Sequence, residues 1–119
     1  MDMVAASFIR TGEHVETIRQ YITTICDRHV PIIAKIENQE GIDNLEAIVK
    51  AADGIMIARG DLGVEVEIED LPHYQHVIWE ICKKHGKPVI YATELLKNMV
   101  YHPFPTRSEV SDVYHAVDL

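Results

Sequence analysis

Four short stretches set side chains capable of acid, base or metal chemistry at the ends of apolar runs. In "IIAKIENQEGI" (32–42), Lys35 and Glu37 stand two apart among isoleucines. Residues two apart on a strand share a face, so a strand here points both charges the same way. The plain structural reading is a buried ion pair. Replacing such a pair by hydrophobic residues is often neutral or stabilising, so stability alone explains it poorly and a working role is favoured.

The stretch "ARGDLG" (58–63) carries Asp61 between Gly60 and Gly63. Two glycines this close let backbone N–H groups approach a ligand, and a helical turn at this point would favour an anion. A tight turn capped by Asp61 is the other reading, and both stay open. Glu37 and Asp61 follow neighbouring runs. Two carboxylates, with water and substrate oxygens, suit magnesium. Lys35 adds a fixed positive charge for an enolate or phosphoryl oxygen, and Thr93, in "PVIYATELL" (88–96), offers a hydroxyl for proton relay. Together they describe an oxyacid or enolate site with which phosphoryl transfer is compatible. Ser7 and Arg10 end the first run, but no base lies near Ser7 in sequence, so a serine nucleophile is unsupported.

Other candidates are weaker. His73 and His76 in "HYQH" lack a third ligand at helical spacing. The run "EVEIED" (65–70) reads as a solvated face or helix-entry cluster. EF-hand spacing, GxGxxG and Walker A motifs are absent from the sequence.

The elements that must hold these residues follow from periodicity. The runs "MVAASFI" (3–9), "PIIAKIE" (31–37), "GIMIARG" (54–60) and "PVIYATELL" (88–96) are short and nearly continuous in apolar residues. That pattern predicts parallel strands covered on both faces. Helical spacing joins Val15, Ile18, Ile22, Ile25 and Cys26, then Ile42, Leu45, Ile48, Val49 and Ala52, then Tyr74, Val77, Ile78, Ile81 and Cys82. Pro72 opens the third helix and "KKHGKP" closes it. A fourth opens at "TRSE", where Thr106 and Glu109 fit a capping box, with Val110, Val113 and Val117 on its apolar face. The order is βαβαβαβα, an α/β class. Four units in 119 residues average about 30 residues each, as do the eight of a (β/α)8 barrel of about 250 residues. Four consecutive βα units are thus about half of a TIM barrel, with both ends expected to continue into something longer. A complete, open four-stranded sheet is the alternative.

Composition narrows the class. Hydrophobic residues make up 47% and charged residues 25%, a globular profile. A net charge of −8 argues against binding a nucleic-acid backbone. No 18-residue apolar run predicts a membrane span, and "MDMVAASFIR" is not a signal peptide. Cys26 and Cys82 are expected to be buried free thiols, which fits a reducing, cytoplasmic setting.

Read together, "MVAASFIR", "IIAKIENQEGI", "DGIMIARGDLGVEV", "KPVIYATELL" and "PTRSEVSDV" resemble the pyruvate kinase family in order and spacing, over essentially the whole chain. The resemblance implies phosphoryl transfer from phosphoenolpyruvate to ADP, giving pyruvate and ATP in the last step of glycolysis. Magnesium or manganese is implied, and potassium in many members, with its ligands outside this chain. By the same resemblance, Lys35 stabilises the enolate and moving phosphoryl group, Glu37 and Asp61 bind the metal, and Thr93 is where the enolate is protonated. Ala58, Arg59 and Gly60 lie beside the substrate, with Ser7 close by. Arg59 and Arg107 fall in regions that family members use for subunit contacts, and the full-length family forms tetramers. The family commonly has glutamine where Glu94 stands, and often proline at Glu67. It also implies that residues 1–119 are a partial catalytic barrel domain, without the lid and C-terminal regulatory domains, and inactive alone. Two alternatives remain: a lyase or aldolase of the phosphoenolpyruvate/pyruvate superfamily, and a non-catalytic half-barrel whose open edges serve association.

Overall fold

The computed structural model describes residues 1–118. Strand β1 (Val4–Ala6) leads to helix α1 (Gly12–Ile25), and β2 (Ile32–Ile36) to two short helices, α2 (Gln39–Asp43) and α3 (Leu45–Ala51). Strand β3 (Gly54–Ala58) runs directly into α4 (Arg59–Glu65), a 3-10 turn (Ile68–Asp70) and α5 (Leu71–Lys84). Strand β4 (Val89–Ala92), a second 3-10 turn (Lys97–Val100) and α6 (Arg107–Asp118) complete the order. The four strands pair in parallel in the order β1-β2-β3-β4. Among the described residues the sheet does not close, in keeping with part of a barrel.

Local chemistry explains most boundaries. Thr11 caps α1 by accepting from the His14 amide at 3.2 Å, and Asn38 caps α2 by accepting from Gly41 at 2.8 Å. The predicted second helix is divided at Asn44 (φ −104°, ψ 18°). Gly86, at φ +65°, ends α5 in the left-handed conformation that an amino acid with a Cβ resists. The expected box at α6 is formed: Thr106 N–H donates to Glu109 at 2.9 Å, and Glu109 N–H to Thr106 Oγ1 at 3.2 Å.

Register fixes which residues share a face. Lys35 pairs with Met56 and Met56 with Ile90, while Ala34 pairs with Ile55 and Ile55 with Val89. The second row belongs to the core. Ala6, Ile32, Ala34, Ile36, Ile55 and Ile57 pack with Val15, Ile48, Val49, Ile78 and Cys82 of the helices. The sheet face bearing Lys35 is covered differently from the expectation. Ala5 and Ser7 are exposed, Lys35 and Met56 half-buried, and Ile90 40% exposed. The apolar runs had predicted cover on both faces; on this one Ile33, Glu37 and Ala58 are buried, while Ala5, Ser7 and Ile90 are not.

Two further expectations change. Cys26 is free but only half-buried, whereas Cys82 is buried, and burial pushes its thiol up to about 11. Helix α6 buries none of its side chains, and Val110 and Val117 are exposed. None of its residues belongs to the core cluster, and its contacts through Glu109 and Asp112 are polar. At the opposite end of the sheet, Asp53 accepts from the Ile32 amide at 2.8 Å and from Arg19 at 3.0 Å. Burial raises its pKa, but these donors outweigh that and hold the carboxyl below its usual range.

Candidate active site at the carboxyl ends of the strands

Every candidate residue lies at or just past the carboxyl end of a strand, where parallel α/β sheets gather function. Ser7 follows β1, Lys35 lies in β2 and Glu37 follows it. Ala58 ends β3, Arg59, Gly60 and Asp61 open α4, and Thr93 follows β4.

Lys35 and Glu37 do point together. Lys35 Nζ lies 2.8 Å from Glu37 Oε1 and 3.1 Å from Ser7 Oγ. The Glu37 side chain is 1% exposed and that of Lys35 is 23% exposed. The second carboxylate oxygen of Glu37 accepts from the Phe8 amide. Phe8 is turned to φ 56°, a conformation rare outside glycine, and that turn aims its N–H at the carboxylate. The two oxygens of Glu37 are therefore fixed by a cation on one side and a backbone donor on the other. A carboxylate has about four lone-pair directions, so these two partners do not exhaust its accepting capacity. Arg10, Asn38, Glu40 and Asp61 line the same cleft as Glu37.

Asp61 is exposed and faces this cleft from the first turn of α4. No group of three or more His, Cys, Asp or Glu side chains suited to one ion occurs among the described residues. Two carboxylates on one cleft still fit a magnesium-like ion, which takes one or two protein carboxylates and completes its shell from substrate and water.

Thr93 sits on a second cleft with Arg59, Gly60, Leu71 and Glu94. Its Oγ1 accepts from the Gly60 amide at 2.9 Å and donates to the Ala92 carbonyl. Thr93 and Glu94 have φ of 76° and 55°. Such backbone states cost about 1–3 kcal/mol each and persist only where surrounding contacts hold them. A Cβ at Gly60 would come to 3.4 Å from Thr93 Oγ1 and Cγ2, a close but ordinary contact. Glu94 points to Lys97, 3.0 Å away.

The Arg59 side chain is turned away from the Glu37–Asp61 cleft. Its three nitrogens are divided: Nη1 lies 2.8 and 2.7 Å from the two Asp112 oxygens, Nη2 donates to the Thr93 carbonyl and Nε to that of Ala92. Sequence reasoning missed Asp112 and the Phe8 amide. Asp112 is 53 positions from Arg59, and nothing in the residue types Phe8, Thr93 or Glu94 signals a left-handed backbone. His73 and His76 lie on the exposed side of α5, where His76 approaches Glu80 at 3.8 Å.

Comparison with known proteins bears on the family and the fold. A family model described as "Pyruvate kinase, barrel domain" matches residues 1–118. The chain is 50% identical over 117 residues to a pyruvate kinase of Lactococcus lactis, covering 98% of this chain and 23% of that protein. It is 50% identical to one of Borreliella burgdorferi and 49% to one of Clostridium acetobutylicum, again over 98% of this chain and 24% and 25% of theirs. The chain thus spans about a quarter of the length of the curated relatives it matches.

Proposed function

Because the chain belongs to the pyruvate kinase family, we propose that its clefts serve phosphoryl transfer from phosphoenolpyruvate to ADP, as one portion of a catalytic barrel domain. The observation that carries this reading is the Lys35–Glu37 pair, fixed from two sides beside a cleft that Asp61 also lines. A cation and a preorganised carboxylate, both held before substrate arrives, suit a reaction in which charge develops on enolate and phosphoryl oxygens.

The roles divide by chemistry. Lys35 Nζ neutralises the developing enolate oxygen and the transferring group. Glu37 and Asp61 would hold magnesium or manganese, which supplies a Lewis acid for phosphoryl and carboxyl oxygens. The backbone of Ala58, Arg59 and Gly60, at the end of β3 and the first turn of α4, offers donors to a substrate carboxylate. The Thr93 hydroxyl passes a proton to the enolate carbon, directly or through water. Ser7 Oγ, 3.1 Å from Lys35 Nζ, orients the ammonium. The curated relatives are about four times as long as this chain, and the 119 residues by themselves are expected to bind weakly and to turn over nothing measurable. No helix is long and apolar enough to cross a membrane, and a cytoplasmic setting is part of the proposal. Nothing in the geometry favours carbon–carbon lyase chemistry.

The test is binding of manganese by the chain, read by electron paramagnetic resonance with and without phosphoenolpyruvate. Glu37→Gln and Asp61→Asn are each expected to weaken manganese binding about tenfold, since affinity follows ligand charge. Wild-type affinity in both variants would overturn the assignment.

A further inference from the structure

Thr93 and Glu94 hold two consecutive left-handed backbone conformations without a glycine between them. Something must hold that turn, and the contacts show what does. Arg59 Nη2 and Nε donate to the carbonyls of Thr93 and Ala92, the first residue past β4 and its last. The remaining nitrogen, Nη1, is taken by both oxygens of Asp112. The Arg59 side chain is 12% exposed and that of Asp112 is 35% exposed. Asp112 lies on α6, none of whose residues is fully buried.

We infer that Asp112 is a positioning residue for the Thr93 hydroxyl, acting through Arg59. This rests on the reading of Thr93 given above. The guanidinium is planar and cannot adjust its donors independently. Anchoring one nitrogen on Asp112 therefore sets the direction of the other two. Those two fix the carbonyls on either side of the Thr93 nitrogen, and with them the Thr93 dihedral angles. The same turn sets Oγ1 at 2.9 Å from the Gly60 amide, at the first turn of α4. Arg59 begins α4 and its side chain holds β4, so one residue joins the substrate-facing backbone to the proton-relaying hydroxyl. Charge on α6 reaches the site by this path without touching substrate.

The test needs no turnover. In the wild-type chain, the Gly60 amide and the Thr93 methyl are followed by hydrogen exchange and by nuclear magnetic resonance. Asp112→Asn keeps the shape and removes the charge. It is expected to speed exchange at Gly60 about three- to tenfold, the worth of one hydrogen bond, and to shift the Thr93 methyl. Amides of Ala34, Ile36 and Ile57 should keep their protection. Asp112→Glu should restore part of the Gly60 protection. Arg59→Lys should behave as Asp112→Asn does, because one ammonium cannot reach both carbonyls and the carboxylate. Loss of protection across the whole sheet in Asp112→Asn would make the pair a fold staple and overturn the proposal. So would unchanged Gly60 and Thr93 signals, or a wild-type pattern in Arg59→Lys. Failure of the functional reading is seen separately, as no manganese or phosphoenolpyruvate binding by the wild-type chain, and does not alter the exchange result.

Discussion

Lys35 and Glu37 face each other at 2.8 Å across a single intervening isoleucine, with the carboxylate almost wholly out of solvent. The pair is asymmetric: Lys35 keeps contact with water, while Glu37 depends on Lys35 and the Phe8 amide. Removing the cation leaves a buried carboxylate with one partner. Removing the carboxylate charge leaves a cation that water can still reach.

That asymmetry predicts unequal single variants. Lys35→Met is expected to destabilise the chain by about 2–3 kcal/mol, somewhat less than the ~3–5 kcal/mol of a fully buried pair because Lys35 is partly exposed. Glu37→Gln should cost less. The double variant should cost less than the sum of the two, by about 1 kcal/mol or more. Urea denaturation of all four proteins checks this; strictly additive effects would sink it.

Acid stability is expected to depend on Glu46. Hydrogen bonds from Lys84, the last residue of α5, and from His85, which caps it, at 3.0 and 3.1 Å, lower its pKa from 4.5 to about 2. A folded-state pKa below the unfolded one contributes stability that is complete above about 4.5 and is lost as pH falls toward 2. Glu46→Gln should therefore flatten the stability profile between those limits and leave it unchanged in shape above them. Thermal melts from pH 6 to 2 read this out. Because Glu46 is exposed, added salt should shrink the effect.

Gly12 is expected to tolerate no side chain. A Cβ there would stand 2.8 Å from the Ala47 carbonyl oxygen and 3.2 Å from its Cβ, so α1 and α3 would have to part. Gly12→Ala should cost about 1–3 kcal/mol, as overpacking does. Gly86→Ala is the contrast: the space is open, and the φ of +65° is the obstacle. Its cost should be about 1 kcal/mol, and Gly86→Asn should recover part of it. Equal costs for both alanines, with no recovery by asparagine, would contradict this account.

Thr106→Ala should remove the cap of α6 at a cost of about 0.5–2 kcal/mol. Since α6 buries no side chain, the loss is expected as fraying of that helix rather than in the global transition. Faster amide exchange confined to the start of α6, with an unchanged denaturation midpoint, is the expected result. A shift of the global midpoint by that full amount would show that α6 carries stability for the sheet.

The sequence by itself determined the kind and order of elements, because periodicity of two and of 3.6 is written in neighbouring residues. It also determined the Lys35–Glu37 alignment, which follows from strand alternation alone, and the Thr106–Glu109 box, which closes within four residues. It did not reveal that α6 would leave Val110 and Val117 exposed, or that Ala5 and Ile90 on one sheet face would be exposed, since periodicity says which residues could be covered and not by what. Tertiary structure alone decided the supports of the site. The Phe8 amide meets Glu37 across 29 positions, and Asp112 meets Arg59 across 53. Both contacts depend on strand register and on left-handed turns at ordinary residues. Such turns are held by distant partners rather than by local preference, so no local pattern in the chain announces them.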